Sequence, residues 1–264
     1  MDSFQYTRRT SLAIMRSVVF ALMMREMKTR FGAYRLGYFW ALLEPGIHVA
    51  VFAILFGVIL QKSMPGMNYT LFVVTGVIPW LMFNNMLSRG MSAVSANAGL
   101  FGYRQVKPMD SFVARMMLEG LIHFAVFLVF LLIMEWIGVP VTIANPLGVL
   151  AALLLLFIFS FGLSLIVCIV VTQYPEIQKI VPIVTRPLYF MSGIFFSINH
   201  IPPRYRDYFM WNPVLHANEL GRDAFFSAYR TPAGSWEYLT LVAVLAVAFG
   251  MALYRQNNER LVTT

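Results

Sequence analysis

The chain of 264 residues is 59% hydrophobic and only 12% charged. Ordinary soluble domains contain about 45–50% apolar and about 25% charged residues, so this composition argues against a soluble enzyme and excludes a disordered chain. The net charge of +8 fits the basic cytoplasmic loops of a polytopic membrane protein better than it fits nucleic-acid binding.

The first predicted element is an amphipathic helix that precedes the membrane-spanning part. Six apolar residues recur at helical spacing and fall within about 100° of arc; they are Phe20, Met23, Met24, Met27, Phe31 and Tyr34. Arg25, Lys28 and Arg30 occupy the rest of the surface, and Leu22 is the apolar exception there. Such a helix lies in the cytoplasmic interface. Its basic face either only contacts lipid headgroups, or it guides an anionic substrate or docks a partner.

Six segments are apolar and long enough to cross a hydrocarbon layer of about 30 Å as helices. They are residues 37–60, 70–87, 112–137, 147–171, 180–198 and 238–254. The N-terminal segment, the second and fourth connections and the C-terminal tail hold thirteen of the 20 Lys and Arg residues, and the other connections hold five. The positive-inside rule therefore places both termini in the cytoplasm.

Ionisable residues within predicted spans are candidates for functional sites, because their burial in lipid is costly. Glu44 precedes Pro45 and lies at an expected break in the first span. Arg115 and Glu119 share one face of the third span. They form either a structural ion pair with each other or a wall of a polar pathway. The histidines have no partners at metal-site spacing, so no metal site is expected.

The connection from 199 to 237 is long for a simple turn and rich in aromatic residues. Pro213 suits the first turn of a short helix that runs to about Phe226, so the sequence predicts two short amphipathic helices that dip toward the bilayer. Their aromatic side chains either only anchor in the interface or form a surface on which sugar rings stack.

The motifs of several enzyme classes are missing from the sequence. There is no G-x-x-x-x-G-K-[ST] phosphate-binding loop, so the chain is not its own ATPase. The clustered carboxylates that a metal-dependent glycosyltransferase needs are also absent. The residues alone therefore indicate a transport or scaffold subunit without its own motor. A membrane enzyme acting on lipid-linked sugar, which would rely on Glu44 or His123, is the weaker alternative.

Several sequence blocks, in order along nearly the whole chain, resemble the ABC-2 type polysaccharide export permeases. The blocks are REMKTRF at 25–31, LGYFWALLEP at 36–45, GLFGYRQVKP at 99–108, YPEIQKIVP at 174–182, RPLYF at 186–190, WNPVLH at 211–216 and Glu219-Leu220. The resemblance is closer to capsular polysaccharide permeases than to O-antigen permeases. Export of O-antigen or of a teichoic-acid-type glycan remains the alternative within this family.

The resemblance implies an all-α membrane protein of six transmembrane helices in a Gram-negative inner membrane. The expected parts are a cytoplasmic N-terminus with the interface helix (1–36), spans 1–5 (37–198) with a coupling loop (88–111), periplasmic gate helices (199–237), and the sixth span with its tail (238–264). The implied partners are a second copy, two ATP-binding subunits, a periplasmic adaptor of co-polymerase type and an outer-membrane channel. The cargo would be an anionic lipid-linked polysaccharide. No cofactor is expected on this chain, and ATP and Mg would bind to the partner ATPase.

The resemblance also suggests three groups of site residues. A short helix from about Met91 to Leu100 and its flanks would couple to the ATPase; this group is Met91, Ser92, Ser95, Leu100, Phe101, Arg104, Lys107 and Glu176. Lipid-linked substrate would enter beside Arg25, Lys28, Arg30, Glu44, Arg115 and Glu119. The conduit and periplasmic gate would be lined by Tyr189, Phe190, Phe195, Phe196, Tyr205, Tyr208 and Trp211.

Overall fold

The computed structural model describes residues 10–32, 37–59, 66–103 and 105–263, and in these ranges the regular structure is helical, without a β-strand. The α-helices are α1 Ser11–Phe31, α2 Gly37–Phe52, α3 Tyr69–Gly90, α4 Pro108–Trp136, α5 Pro146–Gln173, α6 Ile177–Met191, α7 Pro203–Arg206, α8 Pro213–Phe225 and α9 Trp236–Thr263. A π-helix, Ala53–Ile59, continues α2, and 3₁₀ helices span Ser95–Leu100 and Ile198–His200. Tyr34 and Arg104, which the sequence analysis singled out, lie outside the described residues.

Local sequence signals explain where several of these helices begin. The side chains of Asn68, Asn145 and Asn212 accept hydrogen bonds from backbone N–H groups in the first turns of α3, α5 and α8. These contacts satisfy donors that a helix leaves free at its N-terminus. Proline follows at the first position of α5 and α8, where its missing N–H costs nothing.

Four described helices are long and apolar enough to cross a membrane. They are α3, α4, α5 and the Trp236–Asn258 part of α9, and they agree with four of the predicted spans. The apolar stretch Phe39–Leu55, which runs from α2 into the π-helix, is shorter. The predicted all-α membrane protein is therefore confirmed at this level.

The predicted span over 180–198 is only partly right. Helix α6 begins at Ile177 and ends at Met191, so its 15 residues rise only about 22 Å at 1.5 Å per residue. The backbone then leaves the helix through Gly193, whose φ of 67° is unfavourable for residues with a side chain. Hydropathy alone could not reveal this break, because the residues that follow are also apolar.

The core is built around α3, whose side chains are buried along most of the helix. Helix α5 packs along α9 and also against α8, and α4 packs against α3 and α1. Gly162 of α5 allows a close approach to α9, since a Cβ atom at this position would lie 2.5 Å from the backbone carbon of Ala246. Small residues at such contacts are typical of helix pairs in membranes. Helices α2 and α6 flank this core and expose apolar side chains.

The predicted apolar face of α1 is shifted in the structure. Leu22, the expected exception, is buried with 6% of its surface exposed, whereas Phe20 is 58% exposed. Phe31 is buried as predicted. The reason is that α1 packs against the start of α4, and this protein contact, rather than a flat lipid surface, selects the buried side.

Candidate conduit and coupling site

Two ion pairs join α1 to α4. Arg115 Nε donates to both carboxylate oxygens of Glu26, at 2.8 and 3.0 Å, and its Nη2 makes a still closer contact. Arg30 Nη1 donates to Glu119 Oε1 at 2.5 Å. The acidic member lies on α1 in the first pair and on α4 in the second. On each helix, the two paired residues are four positions apart. Arg115 and Glu119 therefore pair with α1 and not with each other, so the first of the two alternatives, an ion pair within α4, is wrong.

The same network includes the 3₁₀ helix that follows α3. Asn97 accepts from Arg25 Nη1 at 3.1 Å and donates to Glu26 Oε1 at 3.4 Å. Arg115 Nη1 donates to Ser92 Oγ at 3.1 Å and to the backbone oxygen of Arg89 at 3.2 Å. The predicted short helix from 91 to 100 thus exists as a turn and a 3₁₀ helix, and polar contacts fix it to α1 and α4.

The expected coupling residues divide by exposure. Met91 and Phe101 are buried and anchor the connection between α3 and α4. Ser95, Lys107 and Glu176 are exposed, so their side chains are accessible to a partner. Ser92 and Leu100 are partly buried.

A cavity of about 740 Å³ opens between α1, α2, α3 and α4, and we call it the basic cavity. Its walls include Arg30, Glu44 and Arg89 together with apolar side chains. Arg89 Nε lies 3.1 Å from Glu119 Oε1 in a salt bridge, so Arg30 and Arg89 converge on one buried carboxylate. Burial lowers the pKa of the Arg30 guanidinium, and Glu119 opposes that shift. Arg30, Arg89 and Glu119 together leave one positive charge at this wall, which suits an anionic group, and Glu44 contributes a negative charge elsewhere in the lining.

The residues expected where substrate enters are not all brought together. Arg30 and Glu44 line the basic cavity, and the buried Glu119 accepts a hydrogen bond from Arg30. Arg115 binds Glu26 instead. The exposed Arg25 contacts Asn97, and Lys28 is exposed on α1; neither lines the cavity.

A second cavity of about 450 Å³, called here the aromatic cavity, shares Glu44 and His48 with the first. Helix α6 contributes Arg186, Tyr189 and Phe190 to its walls, and α3 contributes Trp80. His48 Nδ1 lies 3.1 Å from the hydroxyl of Tyr189, so α2 and α6 meet here. The two cavities thus border on each other through the shared residues.

The expected gate aromatics lie in three different places. The ring of the buried Phe195 lies 5.1 Å from Tyr189 and 4.1 Å from Phe52, behind the aromatic cavity. Phe196 instead packs against Phe209 at 6.1 Å. Three expected gate residues lie on α7 and in the turn after it. They are exposed and line neither cavity; they are Tyr205, Tyr208 and Trp211.

Sequence reasoning missed several residues of this region. Arg89 has no sequence signal beyond its charge, and Arg186 stands out only as an ionisable residue of a predicted span and of the RPLYF block, although both line cavities. Asn97 carries no sequence signal, because a single amide in a loop has many possible roles. Arg222 falls within the helix predicted from 213 to about 226 without a role of its own, yet it is completely buried in α8. Its position three residues after Glu219 was the available signal. Within the described part of the chain, no three His, Cys, Asp or Glu side chains form a group that could hold a metal ion.

Comparison with known proteins adds a family relationship to this geometry. The profile of the ABC-2 type transporter family matches residues 17–226. Over 256 residues, the chain is 40% identical to the polysialic acid transport protein KpsM of Escherichia coli, covering 97% of this chain and 99% of that protein. It is 31% identical over 250 residues to the capsule polysaccharide export inner-membrane protein CtrC of Neisseria meningitidis serogroup B, with 92% of each covered. The corresponding protein BexB of Haemophilus influenzae is 29% identical over 256 residues, with 96% of each covered.

Proposed function

Because the chain belongs to the ABC-2 type transporter family, we propose that it is the inner-membrane permease subunit of a capsular polysaccharide exporter. The observation that carries this proposal is the similarity, over nearly the full length of each chain, to proteins named for capsule polysaccharide export and polysialic acid transport. A separate ATP-binding subunit, which would hold ATP and Mg, supplies the energy, since this sequence has no phosphate-binding loop of its own.

In this proposal the permease has six membrane crossings, with both termini in the cytoplasm and gate helices on the periplasmic side. Four long apolar helices and the apolar part of α2 support five crossings. The sixth would be α6 together with the turn that follows it. The basic residues of the N-terminal segment and of the α3–α4 connection favour the cytoplasmic placement of that end.

The basic cavity is proposed to admit the anionic, lipid-linked end of the polysaccharide. Arg30 and Arg89 converge at its wall, and Arg guanidinium groups bind phosphate and carboxylate oxygens well. Apolar side chains such as Trp40 and Ile47 line the same space and are exposed. A site with a cationic wall beside apolar side chains suits a headgroup that remains attached to its lipid.

The aromatic cavity is proposed to be one side of the conduit. Trp80, Tyr189 and Phe190 offer ring faces, and Arg186 offers a cation for an acidic sugar. The walls are open toward the exposed apolar faces of α2 and α6, and a second copy of the chain would close the passage. We therefore propose a homodimer with its conduit between the copies.

The 3₁₀ helix Ser95–Leu100 is proposed to receive the motion of the ATPase. Asn97 of this helix forms hydrogen bonds with Arg25 and Glu26 of α1. Ser92, in the turn just before the helix, accepts a hydrogen bond from Arg115 of α4. A displacement of this connection would therefore move the pairs that end at the basic cavity. Exposed Ser95, Lys107 and Glu176 are the proposed contacts with the ATPase. On the periplasmic side, the adaptor and outer-membrane channel would continue the path.

The test is reconstitution of the chain with the ATPase of its own capsule cluster in vesicles. ATP-dependent transport of lipid-linked capsular polysaccharide is expected. Arg89→Gln should lower transport at limiting substrate, while Arg230→Gln, which removes an exposed charge that does not line the cavity, should not. Transport of the polymer without ATP hydrolysis, or no transport by a stable complex that binds and hydrolyses ATP, would contradict the proposal.

A further inference from the structure

The segment 191–198, called here the gate turn, links the end of α6 to the 3₁₀ helix Ile198–His200. It contains Gly193 with its positive φ and carries Phe195 and Phe196. Most of this segment is buried, although its backbone is not helical. Backbone groups in such a segment need hydrogen-bond partners, because unpaired buried N–H and C=O groups are costly.

Side chains of α8 supply many of these partners. Asn218 Nδ2 donates to the backbone oxygen of Ser192 at 2.9 Å. Arg222 donates from Nη1 to the oxygen of Gly193 and from Nη2 to that of Ile194, the latter at 2.9 Å. Successive carbonyl groups of the gate turn are thus bound by one helix.

Further contacts hold both ends of the gate turn. Asn212 Nδ2, just before α8, donates to Ser192 Oγ at 3.0 Å. Glu219 Oε1 accepts from the backbone N–H of Ile198 at 3.4 Å. The other oxygen of Glu219 accepts from Tyr229 Oη at 2.7 Å and from Thr231 Oγ1 at 2.8 Å. Glu219 is therefore fixed from a third segment of the chain.

The surroundings of Arg222 explain why arginine is needed at this position. The side chain is 0% exposed. Its guanidinium lies 3.5 Å from the ring centre of Phe72 and donates to the backbone oxygen of that residue at 3.1 Å. Gly76 leaves the necessary space, since a Cβ there would lie 2.4 Å from Arg222 Nη2. A planar fork with five N–H donors can bind three carbonyl groups at once, whereas the ammonium group of lysine lacks this geometry.

We propose that α8 and the gate turn form one rigid unit, in which Arg222 is the positioning residue for Phe195 and Phe196. Arg222 connects α8 to the gate turn and to α3, so α8 cannot shift without moving these two aromatic residues. The rigid unit is inferred from the contacts alone. Only its consequence for the conduit depends on the proposed function.

The test measures how often the gate turn opens. In a Cys168→Ser background, Ile194→Cys places a thiol at a side chain that is completely buried. Its rate of modification by a maleimide is measured in the complex with the ATPase. Arg222→Met removes two hydrogen bonds to the gate turn. It should raise this rate at least about fivefold, which is the effect of losing a single buried hydrogen bond on a local opening equilibrium. Arg222→Lys should give an intermediate rate.

Two controls separate local opening from general damage. Arg230→Met removes a charge from a side chain that is 78% exposed. Arg230 lies 3.6 Å from Asp223 and donates to the backbone oxygen of Tyr229 at 3.2 Å, outside the gate turn, so the rate should not change. Native Cys168, buried in α5, must stay unmodified when Arg222→Met is made alone. If Arg222→Met does not accumulate in the membrane, Asn218→Ala, which removes the Ser192 contact, is the deciding variant.

A modification rate of the thiol introduced by Ile194→Cys that stays within about twofold of the parent in the deciding variant would overturn the rigid unit. So would an equal rise at native Cys168, since this would mean general loosening. A local rise without any change in polysaccharide export would uphold the unit and would count against the proposed role of the gate turn in the conduit.

Discussion

The ion pair between Glu26 and Arg115 should be strongly coupled to the stability of the fold. Arg115 makes two charge-assisted contacts from Nε and a closer one from Nη2 to the same carboxylate. Replacing Arg115 by Met leaves Glu26 without its main partner in a half-buried place, with side-chain exposures of 11% for Arg115 and 19% for Glu26. The loss is expected to be about 2–3 kcal/mol, below the 3–5 kcal/mol of a fully buried pair.

The assay is the apparent melting temperature of the purified protein in detergent. At about 2–4 °C per kcal/mol for a chain of this size, Arg115→Met should lower the melting temperature by about 4–12 °C. Glu26→Gln should lower it less, because Arg115 keeps its bonds to Ser92 and to the backbone of Arg89.

The decisive measurement is the double variant. Once the pair is broken, removal of the second member adds little, so Glu26→Gln with Arg115→Met should be no less stable than Arg115→Met alone. Lys28→Met on the exposed side of α1 is the matched control and should change little. Additive losses, within about 0.5 kcal/mol, would refute the reasoning, because they would mean that the two side chains act independently.

Three further predictions concern other parts of the chain. Gly162→Val should destabilise the protein in the same assay, because a Cβ would overlap the backbone of α9. Arg186→Gln should lower export of an acidic polymer by about tenfold while ATP hydrolysis persists, as expected for loss of one charge-assisted contact in the aromatic cavity. Burial lowers the pKa of His216, so the unfolded chain binds its proton more readily. Stability should therefore fall as the pH drops below about 6.5, and His216→Gln should show a weaker pH dependence.

The His216 prediction also has a geometric basis. Nδ1 of His216 accepts a hydrogen bond from the backbone N–H of Ser235 at 3.1 Å, while Nε2 lies 2.8 Å from the backbone oxygen of Met210. Only the neutral ring with its proton on Nε2 satisfies both contacts. Protonation of Nδ1 would place its N–H group against the backbone N–H group of Ser235, and two donors cannot form a hydrogen bond. A pH dependence as steep in His216→Gln as in the parent would contradict this explanation.

The sequence predicted the long apolar helices well, because composition and length alone determine them. The family resemblance also placed Arg30 and Glu44 in one group of site residues, and both line the basic cavity. The family resemblance is confirmed by the match over residues 17–226. These predictions rest on long patterns, to which many residues contribute, and a single exception such as Leu22 does not change them.

The failures lie where one contact decides the structure. Arg115 and Glu119 are spaced for a pair within α4, and only the packing of α1 shows that Glu26 and Arg30 take their places. The end of α6 at Met191 depends on partners supplied by α8. Neither contact can be read from local spacing, because the partners lie 89 and 26 residues away in the sequence.

The reversed order of charge in the two α1–α4 pairs has a mechanical consequence. If α1 slid by one turn along α4, Arg30 would face Arg115, and the attraction would become repulsion. The network therefore fixes the register of α1 as well as its attachment. Because Arg30 and Arg89 share Glu119 at the wall of the basic cavity, α1 cannot move along α4 without separating these two cations. Motion passed from the 3₁₀ helix would thus reach the cavity by rotation of α1 and α4 as a pair, rather than by sliding of one helix along the other.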